Sequence, residues 1–313
     1  MKSFFRRSYA AAELAKKFPP ELSHPNKQLA FELAMDGALP AGEIQVSRWH
    51  PLALPEEVPT ARPAEQVLAG YYDYAGNGPC VWHVNFADPN LFVAYGSGLL
   101  AQDELQCVEH PALGSIREAL EAESLAAWTE EDLGPTPILV ANVERRCTLE
   151  TAASLARPLG LYGNQFARAD ARTIRSALKL HQPPARSNLI AIAAPVGSGR
   201  YTRAQLERVI VTAYTGFAAA AGESADPVEI CTGFWGCGAF GGNRELMTAL
   251  QLFAARLAGV ARVKFYAFDD AGRAEFQRGQ AALERALAGT AQVADVIARL
   301  VAAGYVWGVS NGT

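Results

Sequence analysis

Cysteine is scarce in this sequence. Five cysteines (80, 107, 147, 231 and 237) stand among 313 residues, an odd count with neither the spacing of a disulfide framework nor that of paired CxxC zinc knuckles. This predicts a reducing, cytoplasmic setting. Long apolar runs are missing as well: none approaches the ~20 residues of a membrane span, so no membrane partner is expected. The opening stretch, MKSFFRRSYAAAELAKKF, lacks the continuous apolar core of a secretory signal. Its apolar positions Tyr9, Ala12, Leu14 and Phe18 recur at helical spacing and predict a surface helix. There is no basic run and the net charge is −4, which speaks against nucleic acid and anionic membranes as partners. An acidic total still allows an anionic ligand, because backbone amides bind phosphate without Lys or Arg.

What is present has the balance of a globular protein: half the residues are hydrophobic and 19% are charged. SYAAAELAKKF and NKQLAFELAM read as helices, and Pro63 followed by AEQVLAGYY predicts a helix opened by proline. From about residue 80 the pattern changes. CVWHVNFA (80–87) reads as a buried strand and LFVAY (91–95) as a second extended piece. AQDELQCVEH and SIREALEAE then read as helices. Strands and helices alternate beyond that point: ILVANV, the helix RADARTIRSALKLH, NLIAIAAP, a long helix from Thr202, PVEICTG, the helix RELMTALQLFAARLAG closed by Gly259, VKFYAF, and two last helices to about residue 303. The expectation is an α/β fold: a mixed, mainly parallel sheet covered by helices (80–313), with a helical N-terminal extension (1–79) packed on it.

Residues 230–243, ICTGFWGCGAFGGN, carry five glycines between a strand and a helix. The carboxyl ends of strands are where such sheets bind ligands. Glycines allow close backbone approach, and Asn243 is placed to cap the next helix, whose free N–H groups favour an anion. A phosphate or diphosphate cradle is the functional reading, and a tight structural turn is the plain one. Zinc on Cys231 and Cys237 would need two further ligands that the five histidines do not offer nearby. Cys237 as a nucleophile would need a base, and none is visible. Trp235 and Phe240 suggest walls against a planar or sugar-like ligand.

TGFWGCGAFGGN resembles the signature of the poly(ADP-ribose) glycohydrolases, a branch of the macrodomain superfamily. That family has Asn where this chain has Phe234, and Asp where it has Asn243. VNFA (84–87), AQDELQCVEHPAL (101–113), NLIAIAA, RVIVTAYTGF (208–217) and KFYAF (264–268) resemble further family segments in the same order, from about residue 80 to 270. The resemblance implies a macrodomain-like fold and an ADP-ribosyl hydrolase that needs no cofactor and no metal, with ADP-ribose or an ADP-ribosylated protein as its partner. It implies Glu104 as the catalytic glutamate and Asp103 as the acid beside it, in Gln102-Asp103-Glu104 after the loop Gly96-Ser97-Gly98. It further implies ligand contacts at Gly96, Ser97, Gly98, Gln102, Thr232, Gly233, Trp235, Gly236, Cys237, Gly238, Ala239, Phe240 and Gly241. Phe268 matches the aromatic that stacks on adenine.

The chemistry accords with those residue types. Cleavage at the anomeric carbon of ribose passes through an oxocarbenium-like state, so one carboxylic acid protonates the leaving group and a carboxylate activates water. Helix N–H groups favour the ionised form, while an adjacent carboxylate opposes it. A solvated helix start rich in acids is the plain alternative. Asp88 departs from the family, which has Asn there. An acidic cluster of Asp88, Asp103 and Glu104 suits a cationic leaving group, as in ADP-ribosyl-arginine. Asp88 also reads as a turn residue before Pro89. The loop before Gln102 is shorter than in the polymer-cleaving enzymes, and this too favours a mono-ADP-ribosyl linkage over the polymer. PVGSGRYT (195–202) lacks the G-K-[ST] of a phosphate loop, and His83 and His110 read as packed or capping residues.

Overall fold

The structure is a computed structural model, and it describes residues 1–70, 78–132, 134–310 and 312. The chain begins with β1 (Ser3–Ala10), α1 (Ala11–Lys17), α2 (Pro25–Met35), β2 (Glu43–Trp49) and β3 (Ala64–Leu68). It continues through β4 (Val81–Ala87), α3 (Gln102–Glu109), α4 (Ala112–Ala122), a short pair β5 (Glu130–Glu131) and β6 (Gly134–Pro135), and β7 (Ile138–Leu149). Then come α5 (Gln165–Arg168), α6 (Ala171–Ala177), β8 (Leu178–Ala193), α7 (Arg203–Glu223) and β9 (Glu229–Gly233). Last are α8 (Arg244–Leu257), β10 (Arg262–Tyr266), α9 (Asp270–Leu287) and α10 (Val293–Ala302).

One eight-stranded sheet runs β1-β2-β7-β8-β4-β9-β10-β3. The pairs β8/β4, β4/β9, β9/β10 and β10/β3 are parallel, and β1/β2, β2/β7 and β7/β8 are antiparallel. The α/β reading holds: a mixed, mostly parallel sheet lies between helices. Alternation along a strand explains the two layers. Ile190 and Ile192 of β8 enter the core beneath α7 to α10, while Leu189 and Ala191 face the opposite core with Ile116, Leu120 and Leu14 of α4 and α1. A strand buried on both faces reads as the continuous apolar run NLIAIAA.

Several elements differ from expectation, and each difference is tertiary in origin. Residues 1–79 are not a wholly helical extension: they supply β1, β2 and β3 to this sheet. Tyr9, expected on a surface helix, lies on β1 opposite Ile44. The segment after Pro63 is strand β3, with Val67 opposite Phe265 on β10, because pairing to an open sheet edge outweighs modest helix propensity; Tyr71 and Tyr72 of that expected helix lie outside the described residues. LFVAY is a series of turns, and its hydrophobicity serves burial: Leu91 and Phe92 are fully enclosed. The helix expected through His181 stops at Ala177, where Leu178 pairs with Leu149 and the chain enters the long strand β8.

Four parallel strands end at one edge: β4 at Ala87, β8 at Ala193, β9 at Gly233 and β10 at Tyr266. The loops that leave this edge hold Asp88, the glycine loop and Phe268. The candidate site lies there, as expected for such sheets.

Candidate active site

The acidic helix is locked to the sheet by its first residue. Gln102 accepts a hydrogen bond at Oε1 from Phe86 N (2.7 Å) and donates through Nε2 to Val84 O (3.2 Å). Ala101 has no side-chain acceptor for the N-cap position, so Glu104 closes the turn alone: its Oε2 accepts from Ala101 N at 2.8 Å. Asp103 accepts at Oδ1 from Asn85 Nδ2 (2.9 Å), and Asn85 also donates to Gln106 Oε1 (2.8 Å). Gln102, Asp103 and Glu104 are all buried, so the first turn of α3 is not a solvated acidic face. Asp88 Oδ1 accepts from Asn90 N at 2.8 Å across Pro89, the turn role, and the residue also lines the cleft.

Burial, then the neighbouring Glu104, then Asp88 push the Asp103 carboxyl up to about 8, with Asn85 and Lys27 opposing. The protonated form of Asp103 is therefore favoured well above the usual carboxylate range. Such a group can protonate a leaving atom.

Opposite the acids, the chain leaves β9 and turns tightly through residues 234–242. Trp235 N bonds Gly233 O, Cys237 N bonds Phe234 O, and Gly242 N bonds Gly236 O. Gly236 sits at φ +73°, and a Cβ there would lie 2.5 Å from that of Ala194, so both conformation and space demand glycine. Within this coil, the amides of Gly236, Gly238, Ala239 and Phe240 have no hydrogen-bond partner among the described residues, and all four residues line the cleft. Unpaired amides grouped on one cleft wall are able to serve as an anion nest. Asn243 caps α8, accepting at Oδ1 from Leu246 N (3.0 Å).

The aromatic residues divide. Trp235 is wholly buried, and its Nε1 donates to Ile192 O (3.1 Å). It pins the loop to β8, and its ring is enclosed in the core. Phe234 is buried edge-on to Phe265 (5.0 Å). Phe268 is 39% exposed, at φ +62°, an unfavourable conformation for an aromatic residue that costs about 1–3 kcal/mol. Two contacts hold it: Gly70 N donates to its carbonyl (2.7 Å), and the next residue, Asp269, caps α9. The strain keeps a large ring at the cleft mouth.

Two joined chambers form the cleft, of about 510 Å³ and about 210 Å³, sharing Phe86, Gln102, Tyr162, Phe234 and Phe268. Asp88, Asp103, Glu104 and residues 234–240 line the larger; Gly233 lines the smaller. Other expected contacts fall elsewhere. Thr232 is buried and donates to Gln251 Oε1 (2.7 Å), and Gly241 packs on Gly308. Gly96 and Gly98 press against residues 21–24 and Ala167, and the Ser97 hydroxyl accepts from Leu99 N (3.2 Å). Neither chamber includes these three, because the loop before α3 turns its glycines toward the N-terminal segment. The Cys237 thiol donates to Trp235 O (3.5 Å), and burial pushes it up, contrary to what a nucleophile needs.

Sequence reasoning missed Arg244 and Tyr162. Among the described residues, Arg244 is the only Lys or Arg lining the larger chamber. Its guanidinium lies 4.8 Å from the Phe234 ring centre and bonds Glu275 Oε2 at 2.8 Å. A signal existed: a cation at the first position of a helix opposes the macrodipole and so asks for a reason. Tyr162 comes from a loop after β7 and had no such signal.

Residues 162–275 match the family model described as poly(ADP-ribose) glycohydrolase (PARG), macro domain fold. The PARG-like resemblance read from the sequence holds over this span, which contains the glycine loop, Arg244 and Phe268. The sequence matches none of the curated proteins compared with it. Among solved structures, the chain is similar to a PARG from Thermomonospora curvata (18% identity over 88% of this chain and 85% of that one, TM-score 0.48). It is also similar to a PARG from Deinococcus radiodurans in complex with ADP-ribose (14%, 89% and 95%, TM-score 0.47) and to a macrodomain from Oceanobacillus iheyensis (13%, 77% and 98%, TM-score 0.42).

Proposed function

We propose that this chain is a glycosidase-type ADP-ribosyl hydrolase, PARG-like in its site, that acts on mono-ADP-ribosylated arginine. One observation carries the reading: four amides without a hydrogen-bond partner among the described residues, and a buried Asp103 carboxyl pushed up beside Glu104, line the same chamber. The nest holds a diphosphate, with Arg244 as its counter-charge. Phe268 stacks on the base at the mouth. This leaves the distal ribose against Asp103 and Glu104.

The chemistry balances without an oxidant or a reductant. The bond from the anomeric carbon to the leaving nitrogen breaks, and its electron pair goes to that nitrogen, which takes the proton from the carboxyl pair. Water adds to the oxocarbenium-like carbon and returns a proton to the pair, releasing ADP-ribose. Besides Asp103, three further acidic residues, Asp88, Glu104 and Asp269, line the larger chamber, which supports a guanidinium leaving group.

A second reading, cleavage of poly(ADP-ribose), is favoured by the family-model match. Turnover of arginine-, serine-, glutamate- and polymer-linked ADP-ribose tests both. Release from arginine alone supports the first, and exclusive release from polymer replaces it with the second. Binding of ADP-ribose with no turnover of any linkage would make the chain a non-catalytic reader.

A further inference from the structure

Behind the acid site, away from the cleft, the N-terminal segment packs on the chain that enters α3. Ser23 N, His24 N and Ser23 Oγ all donate to Gly96 O at 3.0 Å. The Tyr95 hydroxyl accepts from Glu21 N and donates to Glu118 Oε1 (2.6 Å). A Cβ on Gly96 would collide with the Glu21 carbonyl oxygen, which explains a glycine that does not touch the cleft. Lys27 is buried on α2, and its Nζ donates to Tyr95 O at 2.9 Å beneath the Phe166 ring (5.7 Å). The chain from Tyr95 to Ala101 leads straight into α3. Its position sets where Asp103 and Glu104 stand.

We propose that Lys27 is a positioning residue for the acidic pair: it anchors the strand of chain entering α3 and sets a cation on the side of Asp103 and Glu104 away from the cleft. The groups that face Lys27 are Glu104, Cys107 and Asp103 of α3, the Tyr95 carbonyl and the Phe166 ring. Those that face Asp103 are Glu104, Asn85, Asp88, Lys27 and Cys107. Burial lowers the Lys27 ammonium to about 8, and Glu104, Cys107 and Asp103 draw it back up. A buried lysine placed where it loses hydration, with one carbonyl as its hydrogen-bond acceptor, is costly unless its charge serves the neighbouring acids. In return it opposes the rise of Asp103, so the acid releases its proton within a working range instead of staying locked.

The test is K27M in the full chain, with K27R restoring the charge and K27Q used if K27M does not fold. Carbon-13 NMR of the Asp103 carboxyl is followed against pH in the unliganded protein. Removal of the cation should move its titration to higher pH, and K27R should return it toward wild type. The kinetic consequence rests on the hydrolase reading: kcat should fall by at least about tenfold with KM within about threefold, and the alkaline limb of kcat should move up. An unchanged Asp103 titration in folded K27M or K27Q overturns the proposal. Absence of turnover by the wild type would defeat the hydrolase reading alone, since the carboxyl titration needs no substrate.

Discussion

The two sides of the cleft are built in opposite ways. The glycine loop between β9 and α8 offers backbone amides, and most of its geometry comes from hydrogen bonds within about ten residues of itself. The start of α3 offers side chains whose behaviour is set from far away: Asn85 on β4, Asp88 beyond it, and Lys27 on α2. On the proposed reading, the local backbone device binds and the non-local side-chain device does the chemistry. Changes on one side should therefore alter affinity with little effect on kcat, and changes on the other should do the reverse.

The largest expected effect is on the chemical side. E104Q should lower kcat about a thousandfold, the scale of general acid–base catalysis, with the ADP-ribose dissociation constant within about tenfold of wild type by calorimetry. Unimpaired turnover would remove Glu104 from the mechanism. Next comes the cradle. G236V forces a side chain into a left-handed position already filled by Ala194, so ADP-ribose binding should weaken by more than about tenfold and stability should fall by about 2 kcal/mol in urea titration. R244Q should weaken ADP-ribose binding about tenfold and flatten its salt dependence, the scale of a lost charged contact, while adenosine binding stays within about twofold. Equal losses for both ligands would mean that Arg244 serves the aromatic stack and not the diphosphate.

A pH experiment addresses Asp103. Its native value of about 8 lies above its ordinary 3.8, so the folded state holds this proton more tightly than the unfolded chain. Its contribution to stability is complete below about pH 3.8 and is lost as pH rises through about 8. D103N should thus melt above wild type at pH 9 and lose that advantage near pH 4. The wild-type kcat should fall as pH rises through about 8. The smallest effect belongs to C237A, whose turnover should remain within about twofold; a collapse would revive the cysteine mechanism.

Legibility followed the same division. The strand–loop–helix of 229–257, the Asn243 cap and the alternating elements from α7 onward could be read from periodicity and turn chemistry, because each rests on residues close in sequence. The acids could be located, but whether they were solvated or buried could not. Trp235 looked like a ligand wall because aromatic residues in glycine loops are ambiguous until the position of β8 is known. Gly96 and Gly98 were ambiguous for a related reason: close packing against residues 21–24 demands glycine as strictly as a ligand would.

By itself, the sequence determined the alternation of strand and helix, the glycine-rich turn with its capping asparagine, and a pair of adjacent acids opening a helix. These follow from φ/ψ preference, hydrogen-bond capacity and hydrophobic spacing over a few residues. Only the tertiary structure decided that β1, β2 and β3 join the sheet, that Phe268 is held exposed, that burial pushes the Asp103 carboxyl up, and that Lys27 stands behind it. Each of these depends on which distant groups become neighbours, and on how much water that arrangement leaves them.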